Sequence, residues 1–149
     1  MKALLTSVIV IVLLSAYAAH ANAQGIGVRA GVSGSPDQFY GGLHYETDRI
    51  ADRLRFRPNI ELGVGSDQTL VALNLELVYD FPLHRTPWRV YVGAGPALNI
   101  YRFTNNTDPA GGFNILMGLA HQGGLFTELK VGAIDSPSVK FGIGYTFRP

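Results

Sequence analysis

The chain has 149 residues, twelve of them basic and eleven acidic, with a formal net charge of +1 and no cysteine. That length suits a single domain, the near balance of charge lacks the basic excess that nucleic-acid binding requires, and disulfides are excluded as a source of stability. Only 15% of the residues are charged, against about a quarter in ordinary soluble domains, and the 18 glycines follow no collagen-like or repeat period.

The first element is an export signal. Lys2 supplies a short basic region, and an apolar run follows from Ala3 to about Ala19. Ala19-His20-Ala21 and Ala21-Asn22-Ala23 then place small residues at alternate positions. This is the build of a secretory signal peptide with a small-x-small cleavage box. Cleavage is expected after Ala23, with Ala21 as the second choice. The run is shorter than the ~20 residues a spanning helix needs. Domain boundaries follow: 1–23 signal peptide and 24–149 the mature domain, in which basic and acidic residues are equal in number.

Beyond Gln24 alternation replaces any helical period, which is the mark of strands with two unlike faces. Eight are predicted, near 25–33, 38–46, 55–65, 68–81, 88–101, 112–120, 125–134 and 138–147. In the fourth, Val71, Leu73, Leu75, Leu77, Tyr79 and Phe81 share one face, and Leu70, Ala72, Asn74, Glu76, Val78 and Asp80 the other. The fifth sets Trp88, Val90, Val92 and Leu98 against Arg89, Tyr91, Gly93, Gly95, Asn99 and Tyr101. The eighth sets Val139, Phe141, Ile143, Tyr145 and Phe147 against Lys140, Gly142, Gly144 and Thr146. Short turn segments separate the strands, such as Ser33-Gly34-Ser35-Pro36-Asp37 and Asp135-Ser136-Pro137-Ser138. The longest loop is expected at 102–111. Pro58 and Pro96 fall inside predicted strands, where each removes a ladder donor, and both are expected near strand ends or at bulges.

Three features place the apolar face outside. The polar face is rich in glycine, among them Gly27, Gly93, Gly118, Gly142 and Gly144. Such glycines gain nothing in water, but they make room in an eight-stranded lumen for Arg29, Tyr91 and Tyr101. Aromatics of the apolar face gather near strand ends: Tyr45, Phe56, Tyr79, Phe81, Trp88, Tyr145 and Phe147 at one rim, Phe39 and Phe113 at the other. Two interfacial girdles have this form. Finally, hairpins centred on the Gly65–Gln68 turn and on His84-Arg85 bring Arg57 opposite Glu76 and Asp80 opposite Arg89. Both pairs are read as structural ion pairs of the lumen, where charges need partners.

The last strand, Lys140-Phe141-Gly142-Ile143-Gly144-Tyr145-Thr146-Phe147, fits a polar-x-Gly-x-x-apolar-x-aromatic pattern. With it, the signal peptide and the eight strands, the mature chain resembles the small eight-stranded outer-membrane β-barrels of the OmpA/OmpX type, in pattern rather than in motif. The resemblance implies an all-β, eight-stranded antiparallel up-and-down transmembrane β-barrel in the outer membrane of a Gram-negative bacterium. Lipid is the surrounding partner. During biogenesis periplasmic chaperones and the barrel-assembly machinery act on the chain, the latter reading Lys140, Gly142, Tyr145 and Phe147. Chains of this family usually end on the aromatic residue; here Arg148-Pro149 follow. The resemblance also puts both termini in the periplasm with the turns at 47–54, 82–87 and 121–124, and the longest loop, 102–111, outside the cell.

Some small outer-membrane barrels modify lipids, so catalytic groups matter. His84 and His121 fall in turns at one end, with His44 near them, and Ser33, Ser35, Ser66, Ser136 and Ser138 fall at the other end. A strand of ~8 residues at ~3.3 Å each keeps the two sets roughly 25 Å apart, so serine hydrolysis is not expected. Glu76, Asp80, Glu61 and Glu128, with arginines nearby, read as an ion-pair network rather than an acid–base pair. Neither metal-ligand spacing nor a phosphate loop is present, and no cofactor is expected. The sequence therefore points to a non-catalytic membrane barrel, its lumen plugged by side chains, with a structural or surface-interaction role. The alternatives are a narrow channel for small solutes and a soluble barrel that binds an apolar ligand; lipid-directed catalysis involving His44 or Glu128 ranks last.

Overall fold

The computed structural model describes residues 25–148; the expected signal peptide and its cleavage site lie outside the described residues. The elements are β1 (Gly25–Gly34), β2 (Gln38–Glu46), a three-residue β3 (Arg49–Ala51), β4 (Leu54–Val64), β5 (Thr69–Pro82), β6 (Trp88–Arg102), β7 (Thr107–His121), β8 (Leu125–Ile134) and β9 (Val139–Phe147). Each long strand pairs antiparallel with its neighbours in the chain. Two further pairings shut the wall. β1 joins β9, from Ile26↔Phe147 to Gly34↔Val139, and β2 joins β4 across the turn that holds β3. The eight long strands thus form a closed up-and-down barrel. Both ends of the described chain sit on one rim (here the terminal rim).

Residues alternate between lumen and exterior with few exceptions. In β9 the pattern is strict: Lys140, Gly142, Gly144 and Thr146 are buried, and Val139, Phe141, Ile143, Tyr145 and Phe147 are exposed. The exterior is apolar, as at Leu43, Leu62, Ile115 and Ile143, each more than half exposed. The interior is polar, with Glu76, Glu61, Asn74 and Lys130 almost wholly covered. A strand of ten residues rising ~3.3 Å each at ~45° spans about 23 Å, close to the ~25 Å apolar band of membrane barrels. On the exterior near the terminal rim Tyr79 stacks edge-on with Phe81 and Tyr145 with Phe147, both at 5.0 Å between ring centroids. Trp88 meets His121 at 4.8 Å.

Most strand boundaries lie within a residue of the expectation, and three features differ. First, β7 starts at Thr107 rather than near 112, because β6 continues to pair with it through Ile100↔Pro109, Tyr101↔Asp108 and Arg102↔Thr107. The expected long loop at 102–111 shrinks to a tight turn in which the Phe103 N–H donates to the Asn106 carbonyl at 2.8 Å. The longest connection therefore runs from β2 to β4, at the terminal rim. Second, that connection carries β3, which pairs with β4.

Third, Pro96 lies in the middle of β6 and not at an end or bulge. Pairing with β5 holds at Asn74↔Ala97, lapses at Leu75 and Glu76, and resumes at Leu77↔Ala94 in unchanged register. No residue is inserted. Pro96 lacks the N–H that would meet the Leu75 carbonyl, while its pairing to Phe113 of β7 is intact. Pro58 is likewise inside β4, but the β2–β4 ladder ends at His44↔Asn59, so its missing donor faces the place where that ladder has already stopped.

Candidate functional site

The lumen is the only part of the described barrel where charged groups are concentrated and covered, so the site is built from its lining. Inward positions of β1, β4, β5, β8 and β9 contribute Arg29, Arg57, Glu61, Glu76, Glu128, Lys130 and Lys140, all buried. The register explains why they meet. Lys130 and Lys140 are directly opposite on β8 and β9, a like-charge pairing that needs an acid between them. Glu61, reaching across from β4, provides it, with Lys130 Nζ at 3.2 Å and Lys140 Nζ at 2.5 Å. Glu76 Oε1 lies 2.5 Å from Lys130 Nζ as an ion pair, and its Oε2 accepts from Arg57 Nη2 at 3.2 Å. Glu128 receives Arg57 Nη2, the Tyr91 hydroxyl at 2.8 Å and Arg29 Nη1 at 3.3 Å.

A second cluster closes the terminal rim. Asp80 lies 2.8 Å from Arg55 Nε and 3.0 Å from Arg89 Nε. Glu46 holds Arg55, with Arg89 Nη2 at 3.5 Å and Arg148 Nη2 at 2.8 Å. The Arg148 contact joins β9's end to β2, over the top of β1. Of the expected ion pairs, Arg57 and Glu76 are register partners. Asp80 and Arg89 also touch, but diagonally: Asp80 stands opposite Tyr91 and Arg89 opposite Pro82. The turn at Leu83–Pro87 is one step longer on one side than a symmetric hairpin on His84-Arg85 would be, which shifts the register by two residues. The geometry places Lys140 in the lumen against Glu61, Gly142 beside Tyr40, and Tyr145 and Phe147 on the exterior near the terminal rim.

Aromatic rings fill the remaining interior, and glycines admit them. A Cβ on Gly118 would strike the Tyr91 ring, one on Gly142 the Tyr40 hydroxyl, one on Gly144 the Phe126 ring, and one on Gly27 the His44 ring. The Arg57 guanidinium lies 5.0 Å from the Tyr91 ring centroid. Toward the far rim the charges give way to amides. Asn114 donates to Asn74 at 2.9 Å, and Asn74 donates to Asn59 at 2.8 Å. Above them Asn99 and the Tyr101 hydroxyl both donate to the Asp135 carbonyl, at 2.9 and 3.0 Å. Of the side chains for which the glycines were expected to make room in the lumen, Tyr101 sits at its far mouth. Over this mouth lies an open cup of about 680 Å³, lined by residues that include Gln68, Tyr101, Phe103, Asp108, Ile134 and Asp135.

Among the described residues, His44 is the one histidine buried inside the lumen. Its Nε2 is 2.9 Å from the Thr146 hydroxyl, and its ring meets Phe126 edge-on at 5.3 Å. Its Nδ1 has no hydrogen-bond partner, so the third member of a hydroxyl–imidazole–carboxylate triad is missing. The Thr146 contact escaped the sequence reading, which among hydroxyl side chains weighed only serines against the histidines. Lys130 escaped it too, although its phase with Phe126 and Glu128 on β8 marks it as inward. Among the described residues no group of three or more His, Asp or Glu side chains is placed to hold a metal ion.

No family model matches the sequence, and no curated protein matches it. Solved structures do share its fold. The N-terminal β-barrel domain of Pseudomonas aeruginosa OprF superposes with a TM-score of 0.61 at 15% identity, over 83% of this chain and 96% of that one. Neisserial surface protein A gives 0.55 at 17% identity, over 83% and 95%. The outer membrane enzyme PagL gives 0.54 at 11% identity, over 85% and 100%. At these identities the likeness is one of fold: the chain has the architecture of the small eight-stranded outer-membrane barrels.

Proposed function

We propose that the mature chain is an integral outer-membrane barrel, exported by a signal peptide cut after Ala23, with a structural or surface-interaction role and no catalysis. The observation that carries this reading is the inverted distribution of polarity. Charged and amide side chains fill the interior, and the exterior is a continuous apolar band with aromatics toward the terminal rim. In water such an exterior would be an association liability; in lipid it is what a spanning wall requires. On this reading the terminal rim faces the periplasm, and the cup at Tyr101 and Phe103 opens to the outside, where it offers a surface to partners.

The ion-pair network supports a plugged lumen, since Glu61, Glu76 and Glu128 bridge strands from opposite sides of the barrel. The separation of serines at the far rim from histidines toward the terminal rim, and the free Nδ1 of His44, support a non-catalytic role. On the same reading Lys140, Gly142, Tyr145 and Phe147 form the signal that the barrel-assembly machinery recognises.

The deciding experiment is gel mobility of the mature protein folded in detergent, boiled against unboiled. A heat-dependent shift, with precipitation once detergent is removed, is the expected result. A protein that stays soluble without detergent and shows no shift would turn the apolar face inward and sink the reading. Planar-bilayer recordings then separate a plug from a narrow channel: the plug predicts almost no conductance.

A further inference from the structure

The cup over the far mouth is where exposed apolar side chains meet unpaired charge. All four far-rim connections contribute to its lining, and its volume of about 680 Å³ lies within the ~300–1,000 Å³ usual for ligand sites. Its walls are tied together from below. The Tyr101 hydroxyl donates to the Asp135 carbonyl at 3.0 Å, and Asn99 Nδ2 donates to the same carbonyl at 2.9 Å and to the Ser136 hydroxyl at 3.0 Å. These bonds join the end of β6 to the β8–β9 turn, so the cup is shaped before anything enters it.

The apolar part of the lining is Tyr101, Phe103 and Ile134, the last two 43% and 78% exposed. Ile134 has the inward phase of β8, in line with Lys130 and Gly132, yet it stands beyond the covered interior. Its φ is 60°, a left-handed backbone that is strained for a β-branched residue. Strain and exposure together present an apolar side chain to whatever occupies the cup.

Charge selects the occupant. Each far-rim connection carries one exposed aspartate in it or beside it: Asp37, Asp67, Asp108 and Asp135. Asp108 and Asp135 line the cup. Arg102, the base that accompanies them at this rim, takes the outward phase of β6 with Leu98 and Ile100 and is not part of the lining. Among the described residues no ion pair engages any of the four aspartates. One oxygen of Asp108 accepts from Asn106 Nδ2 at 3.1 Å, which fixes the carboxylate without neutralising it. Carboxylates set among aromatic and aliphatic walls complement a cation carried on an apolar stem, which is the chemistry of lysine and arginine. The cup is open above, which suits side chains presented on a longer chain better than a small molecule that must be enclosed.

We propose that the cup docks a basic peptide segment of a partner protein. A lysine or arginine of that segment pairs with Asp108 and Asp135, and an adjoining apolar side chain packs on Phe103, Ile134 and the Tyr101 ring. The docking site gives the surface partner its chemistry, and it rests on the barrel reading above in leaving the far rim outside the membrane. The test uses the mature barrel folded in an uncharged detergent and two labelled hexapeptides, one alternating leucine with lysine and one alternating leucine with glutamate, followed by fluorescence anisotropy against empty micelles. The lysine peptide is expected to bind more tightly than the glutamate peptide, with an affinity that falls as salt rises. Asp108→Asn combined with Asp135→Asn is expected to weaken it about tenfold and Phe103→Ser severalfold, while Asp67→Asn, outside the cup, stays near the parent value. Equal binding of the two peptides by the parent, or an unchanged affinity in the double asparagine variant, overturns the docking site. Displacement by magnesium chloride at constant ionic strength, with Phe103→Ser binding as tightly as the parent, assigns the carboxylates to a metal cation and overturns it as well. The heat-dependent gel shift is read on every sample. A shift without peptide binding rejects the docking site alone, whereas no shift in the parent rejects the barrel reading beneath it. Should a variant fail to fold, the two peptides on the parent decide.

Discussion

Glu128 touches more of the lumen than any other acid, holding Arg29, Arg57 and Tyr91 and lying 3.8 Å from Lys130 Nζ. Glu128→Gln would leave Arg29 with Glu61 and Arg57 with Glu76 as their remaining acid partners in a closed interior, with one more cation uncompensated. Loss of one partner from a buried ion network costs ~3–5 kcal/mol, so the melting temperature of the gel shift should fall by many degrees. Asp67→Asn, at an exposed turn of the far rim, should stay within about 0.5 kcal/mol of the parent; equal losses from the two variants would deny the network its role. Packing makes a parallel claim at Gly118, where an added methyl meets the Tyr91 ring and the Thr127 carbonyl. Gly118→Ala should lose ~1–3 kcal/mol by overpacking, and relief by the double variant Gly118→Ala with Tyr91→Leu would identify the ring as the cause. At this scale the sequence disclosed partners that a single hairpin aligns, such as Arg57 with Glu76. It could not disclose Glu61 with Lys140, whose contact depends on strands far apart in the chain meeting across a closed lumen.

Alternation made the strands legible because a period of two says at once which residues share a face. Where the signal fails, the reasons are local. Asp108-Pro109-Ala110-Gly111-Gly112 consists of turn-forming residues, yet β6 draws it into the ladder by pairing from Arg102 back to Trp88 without a break. Neighbouring strands overrode local propensity there. The β2–β4 turn hid its small strand because three residues are too few to show a period. Pro96 leaves a mark of a different kind, a lapse in an otherwise continuous ladder. Pro96→Val restores a donor opposite the Leu75 carbonyl and should stabilise the barrel by about 0.5–1.5 kcal/mol, the net worth of one hydrogen bond. Amide exchange in the variant should slow around Leu75 and Leu77. Unchanged exchange there would show that the lapse has another cause.

For the whole molecule, the depth of the single tryptophan fixes how the barrel sits in lipid. Trp88 begins β6 at the terminal rim, on the side of the wall that carries the apolar band. In vesicles its fluorescence should be quenched more by lipids brominated near the headgroup than by lipids brominated deep in the chain, as for an interfacial anchor. Stronger quenching from the deep label would move the rim into the hydrocarbon and shift the whole assigned span. The closed wall has one more property. β1 and β9 are as fully paired to each other as any two strands joined by a turn, and Ile26 stands opposite Phe147 at the rim where the chain ends. A ring of this kind has no intrinsic beginning. Joining Arg148 to Gly25 by a short linker and opening the chain between Phe103 and Asn106 would give a circular permutant with the same cylinder, the same lumen and an altered order of synthesis, so that the seam last to close in the natural chain becomes one of the first to be made.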